Sequence, residues 1–189
     1  MAQGLRGTEP LRERVLDAAL AEIAARGLGG FTLEAVARRA GFDVATVRQL
    51  WPNSAELSTA ALMEYGTRNL PVPDTGTLYG DLLAYSKSFA DMIDSPIGRR
   101  LLNAVIAKPM DWDLSESRPM FLERRDRRMA QILTRAVERH ECISATEPGR
   151  LVDMIAFGIC LPILLYDRKV TDEDCEYVVR TLVEGIEPR

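Results

Sequence analysis

Residues 31–57 read FTLEAVARRAGFDVATVRQLWPNSAEL, and the order of small, apolar and turn-forming residues in this stretch decides the fold. Thr32 is placed to cap a helix, since its side-chain oxygen can accept an orphan N–H of the first turn. Leu33, Val36, Ala37 and Ala40 follow the i, i+3, i+4, i+7 rule of one buried helix face, with Arg38 and Arg39 left outside. Gly41 stops this helix, and Asp43 can cap the next. Val44, Val47 and Trp51 mark the inner stripe of that second helix, with Leu50 beside it, and Pro52 ends it. Ala45, Thr46, Arg48 and Gln49 lie on its other side. Ala37, Gly41 and Val47 stand at helix-turn-helix spacing. The small Ala permits close approach, the Gly accepts a positive φ, and Val47 fills the angle between the helices. The second helix of such a unit enters a DNA major groove with its N-terminal half toward the base edges.

Working outward, a first helix starts near Pro10. Leu11, Val15, Ala19 and Ile23 form one stripe, and Gly27 is placed to end it. On the other side, Asn53-Ser54-Ala55-Glu56 has the form of a capping box and opens a helix to about Asn69. Two prolines and a glycine in residues 71–76 cannot continue a helix and read as a linker. Longer helices follow, over about 77–93, 95–107, 119–140, 148–166 and 171–186. The expected fold is all-α, with about nine helices. Residues 1–53 form a three-helix DNA-binding domain. Residues 54–189 form a second helical domain, with helix 54–69 connecting the two.

Composition narrows the function classes. The 189 residues are 47% hydrophobic and 28% charged, enough to bury a core. His140 is the single histidine, and Cys142, Cys160 and Cys175 have no CxxC spacing, which excludes two-histidine metal centres and most structural zinc sites. No cofactor is expected. The odd, scattered cysteines and the lack of an apolar leader suggest a reducing cytoplasm. Met154 to Tyr166 is an uncharged run of 13 residues, short of the roughly 20 that span a bilayer, so no membrane is expected. A helix so apolar is buried on more than one side, and a second subunit can supply the other cover. The net charge of −4 divides unevenly: residues 1–50 hold seven Arg and six acids (+1), and residues 51–189 hold 17 basic and 22 acidic residues (−5). The acidic total therefore does not exclude DNA, but it implies a modest salt dependence.

The quoted stretch, with Gly27 before it, Phe31-Thr32 opening its first helix, Ala40-Gly41-Phe42 at the turn and Trp51-Pro52-Asn53 after the second helix, resembles the DNA-binding domain of the tetracycline-repressor (TetR) family. The segment from Pro73-Asp74-Thr75-Gly76 onward, including Arg135 to Arg139, resembles an actinobacterial-type branch of the family's C-terminal domains. The resemblance implies a homodimeric repressor that binds a palindromic double-stranded operator. A small-molecule effector in the C-terminal domain would shift the fourth helix and release the DNA. Three positions depart from the family pattern. Arg48 replaces an aromatic, Ser54 replaces a lysine that usually meets a phosphate, and Asp43 replaces a Ser or Thr cap.

Candidate DNA contacts are Thr32, Arg38, Ala45, Thr46, Arg48 and Gln49. The threonines and Arg38 suit phosphates. Ala45 suits a thymine methyl, Gln49 an adenine, and Arg48 either a phosphate or a guanine. Arg39 is a weaker phosphate candidate, and Arg6 and Arg12 suit a minor-groove arm. The bland readings are an N-cap for Thr32 and a solvated helix face for the others. Candidate effector contacts are Tyr65, Phe89, Trp112, Phe121, Met129, Met154 and Phe157, although aromatics and Met at helical spacing also serve as plain core. Leu161, Leu165, Val178 and Leu182 are candidates for a dimer interface in which the last two helices pair with their mates as a four-helix bundle. Two other readings are a small-molecule-binding or protein-interaction dimer with a weakened DNA head, and an all-helical enzyme using His140. For His140 itself the plain reading is a helix C-terminal cap.

Overall fold

The computed structural model describes residues 9–107, 117–142 and 146–186. Among them are nine α-helices, a short 3-10 turn at Leu28–Gly30 and no strand. In chain order the helices are α1 Glu9–Arg26, α2 Leu33–Ala40, α3 Val44–Leu50, α4 Ser54–Asn69, α5 Leu78–Asp94, α6 Pro96–Ala107, α7 Ser117–Glu138, α8 Pro148–Tyr166 and α9 Asp172–Ile186.

The compact units divide the chain differently from the expected boundary at residue 53. One holds Met1–Thr67 and Pro96–Pro119, and the other holds Arg68–Ser95 and Met120–Arg189. The first unit thus gains α6 and most of α4. The reason is apolar surface: α6 packs on α1, burying Leu101 in the same core as Val15, Ile23, Val36, Val47 and Leu57, with Ile97 beside it. Periodicity shows that a helix has a buried face but not which neighbour covers it.

Local chemistry sets the helix ends in the first unit. Thr32 accepts from the Ala35 N–H at 3.2 Å, and Asp43 accepts from the Thr46 N–H at 2.8 Å. Gly41, with φ 76°, is left-handed and closes α2 on the Ala37 carbonyl. A side chain there would be strained and would also crowd Arg14, which donates to the Ala40 carbonyl at 2.8 Å. Asn53 caps α4 by accepting from the Glu56 N–H, and its amide donates back to the Glu56 carboxylate, both at 2.8 Å. The buried Glu22 ties α1 to α2 through Arg39 at 2.7 Å, with Arg26 at 3.0 Å.

In the second unit α5 packs against both α8 and α9. Leu82, Ile155, Ile159, Val179, Met129 and Ile132 are fully buried. A Cβ on Gly158 would meet Val178 at 2.7 Å, so this glycine lets α8 and α9 approach closely. The segment 70–77 is not helical, and α7 holds it firmly. Arg128 donates to the Leu70 carbonyl and Arg135 to the Pro73 carbonyl. Asp81, with no exposed surface, accepts from the Thr75 N–H at 2.5 Å and its hydroxyl at 2.9 Å, and from Arg139 at 3.4 Å. Glu141 accepts from the Leu78 N–H at the start of α5. At α9, Thr171 and Asp174 form a reciprocal cap, and Arg168 grips Asp174 through both arms. That guanidinium holds the Asp174 carboxyl far below the usual carboxylate range.

The helix α8 is 19 residues long, and an 18-residue window of it has a mean hydropathy of 1.7, long and apolar enough to cross a membrane by length and composition only. One side, including Leu151, Ile155 and Ile159, is buried in the unit, and Arg150 and Asp153 lie in its first turns.

Candidate nucleic-acid interface

The inner residues of α3 are Val47, fully buried, and Trp51 just beyond it, which anchors the helix to the core of the first unit. That anchoring turns Ala45, Arg48 and Gln49 to solvent, with Leu50 39% exposed at the end of the helix. Thr32 and Arg38 are likewise exposed on α2. Asp43 does more than cap α3. Its second oxygen accepts the Thr46 hydroxyl at 2.7 Å. These hydrogen bonds from Thr46 lower the Asp43 pKa, so the carboxylate stays ionised. The Thr46 hydroxyl, expected to be a phosphate donor, is spent inside the protein in this state.

The arginines of the head also have partners. Arg12 lies over the Trp51 ring at 6.0 Å and Arg14 over Phe42 at 4.8 Å. Arg39, a weaker phosphate candidate, is bound to Glu22. Arg48 donates to Glu34 at 3.4 Å. Arg38 alone on α2 and α3 has no side-chain partner among the described residues. The Glu34 contact was not legible in the sequence, because fourteen residues and a turn separate the partners. Arg6 lies outside the described residues.

The candidates for effector contacts are divided between the two units. Tyr65 packs against the core of the first unit, whereas Phe89 is half-buried on α5 and Met129 is fully buried in the second unit. Trp112 lies outside the described residues, and of Phe121 only the helical backbone is described. Met154 and Phe157 lie on the surface of the second unit. They are 57% and 68% exposed on the outer side of α8 and do not face an interior. There they line an open groove of about 500 Å³ with Gly158, Tyr177, Val178 and Leu182. Nearly every turn of α8 is apolar, so spacing alone could not tell its inner face from its outer one.

The four interface candidates share these two helices. Leu165 is exposed, Leu161 and Val178 are half-buried, and Leu182 is buried at the floor of the groove. Tyr166 and Tyr177, 69% and 75% exposed, extend the apolar surface.

His140 is exposed and left-handed, φ 61°, just past α7, where the Glu141 N–H bonds back to the Ala136 carbonyl. It therefore occupies the helix-ending position itself. The three cysteines are free thiols. Burial pushes Cys160 and Cys175 up to about 11 and also raises Cys142, while burial pushes the Tyr85 hydroxyl up to about 12. Such thiols are poor nucleophiles. A folded pKa raised above the unfolded one gives stability that is present at neutral pH and lost as pH rises. The thiol contribution is therefore expected to disappear between pH 9 and about 11, and that of Tyr85 between pH 10 and about 12. A series of thermal melts from neutral to alkaline pH checks this, and a flat profile would contradict the burial of these groups.

Comparison with known proteins brings the two units together. Residues 72–182 match the family model described as the tetracyclin repressor-like C-terminal domain, and residues 15–61 match that of bacterial regulatory proteins of the tetR family. The chain is 30% identical over 148 residues to the HTH-type transcriptional regulator AqdR of Rhodococcus erythropolis, covering 78% of this chain and 71% of that protein. It is 24% identical to the HTH-type regulator YdeS of Bacillus subtilis, over 95% of this chain and 91% of that one. A crystal structure of the TetR family transcription regulator SCO0332 superposes with a TM-score of 0.73 at 28% identity, covering 95% of this chain and all of the other.

Proposed function

This chain belongs to the TetR family of bacterial transcriptional regulators, which are DNA-binding proteins and not enzymes, and on that premise we propose that it is a ligand-responsive repressor acting as a homodimer on a palindromic operator. The observation that carries the reading is the division of α3. Val47 and Trp51 are buried, so Ala45, Arg48 and Gln49 face outward from a helix fixed to its domain. Two such helices, one per subunit, fit successive major grooves. Arg38 and Thr32 contact the backbone, and Ala45, Arg48 and Gln49 meet base edges. The exposed apolar side of α8 and α9 supports pairing of two chains through a four-helix bundle. An effector held by the helices of the second unit acts on α4, whose last residues Arg68 and Asn69 belong to that unit. The protein works in the cytoplasm.

Selection of duplexes from a random-sequence library tests this. A two-fold symmetric sequence is expected. Arg48→Ala should then cost about 1–3 kcal/mol on the selected duplex and relax preference at one position. Arg38→Ala should weaken all sequences alike and reduce the salt slope by about 1. The second reading, a small-molecule-binding dimer with a weakened head, is favoured by the carboxylates Glu34 and Asp43 on the same surface. Failure to select any sequence at low salt would favour it over the repressor.

A further inference from the structure

We propose that Glu34 is a positioning residue for DNA readout, holding the Arg48 guanidinium by one nitrogen so that its remaining edge is presented to a guanine. The inference rests on the DNA-binding reading above. Among the carboxylate–arginine pairs of α1–α3, this one does not serve packing. Glu22 is 4% exposed and binds Arg26 and Arg39 to join two helices. Glu34 and Arg48 are 61% and 57% exposed, on the outward sides of α2 and α3. A pair so exposed adds little to stability, so the fold does not need it.

Its geometry is informative. Only one Nη of Arg48 meets one oxygen of Glu34, at 3.4 Å. A guanidinium carries five N–H donors in a planar fork, so its other edge is free for the O6 and N7 acceptors of guanine. Tethering removes part of the rotamer freedom that a long side chain otherwise loses on binding. The tether also discriminates. A base contact made in place keeps the pair intact. A swing to a phosphate breaks it and leaves a carboxylate beside the polyanion. Glu34 thus strengthens the specific contact and denies Arg48 to non-specific ones.

The test uses the full-length chain, a duplex selected from a random library and a mixed-sequence duplex of equal length. Glu34→Gln is expected to weaken the selected duplex by roughly three- to tenfold, in the range of a lost orienting contact. Mixed-sequence binding should hold or tighten, with a salt slope steeper by about 1 as Arg48 joins the phosphate contacts. In an Arg48→Ala background the same substitution should leave the ratio of the two affinities unchanged. The proposal is overturned if Glu34→Gln keeps or raises that ratio. It is also overturned if the effect persists without Arg48, which would mean simple repulsion between Glu34 and DNA. If the wild-type chain selects no sequence, the DNA reading itself fails, and that outcome is separate from the others.

Discussion

If the chain pairs through α8 and α9 as proposed, a Phe157→Glu variant is expected to sediment as a monomer at concentrations where the wild-type chain sediments as a dimer. Phe157 is 68% exposed in the single chain, beside Met154, Leu165, Tyr166 and Tyr177. With most of its side chain in solvent, its replacement should leave the circular dichroism spectrum unchanged. In a two-fold dimer each substitution occurs twice at a self-complementary surface. Two carboxylates would then lie among apolar side chains, and the effective penalty for burying an unpaired ion is several kcal/mol. A loss of at least about 3 kcal/mol, or roughly 100-fold in dimer dissociation constant, follows. Leu165→Glu should act in the same direction. Binding to a two-fold DNA site should weaken in step, because the heads lose their linkage. A Phe157→Glu chain that remains a stable dimer by analytical ultracentrifugation would rule out α8 and α9 as the interface.

Asp81→Ala is expected to be the most damaging single change inside the second unit. The carboxylate is wholly buried, and it accepts from the Thr75 N–H and hydroxyl and from Arg139. Arg135 stands 3.9 Å away. Removing one partner of a buried ionic network leaves the others desolvated and unpaired, typically at about 3–5 kcal/mol. Arg135 and Arg139 are each 27% exposed and keep other acceptors, the Pro73 carbonyl and the Glu141 carboxylate, so the lower end, about 3 kcal/mol, is expected. For a chain of this size that is a fall in Tm of roughly 6–12 °C. Asp81→Asn retains an acceptor for Thr75 and should cost less. A Tm for Asp81→Ala within about 2 °C of wild type would show that the connector does not depend on this carboxylate.

The DNA head was the more legible half because its determinants are close in sequence. Thr32, Gly41, Asp43 and Asn53 act within one helical turn of where they stand, through caps and a left-handed turn. The stripe of Val36, Val47 and Trp51 then leaves only one way to bury it. The effector candidates were less legible. Met154 and Phe157 are three residues apart and Ile155 and Ile159 four, both helical spacings of apolar side chains, yet the first pair is exposed and the second buried. Likewise α6 carries an ordinary amphipathic pattern, and nothing in it names α1 as its partner.

The linear order of residues was therefore sufficient for an all-helical chain, a helix-turn-helix, the capping positions and an apolar penultimate helix. Each depends on interactions spanning a few residues. Tertiary structure decided which side of α8 stays uncovered, that α6 belongs to the head, that α7 arginines fasten the segment 70–77, and that Glu34 meets Arg48. These depend on contacts between residues far apart in the chain. Such pairings follow from the shared burial of several helices, which no local periodicity encodes.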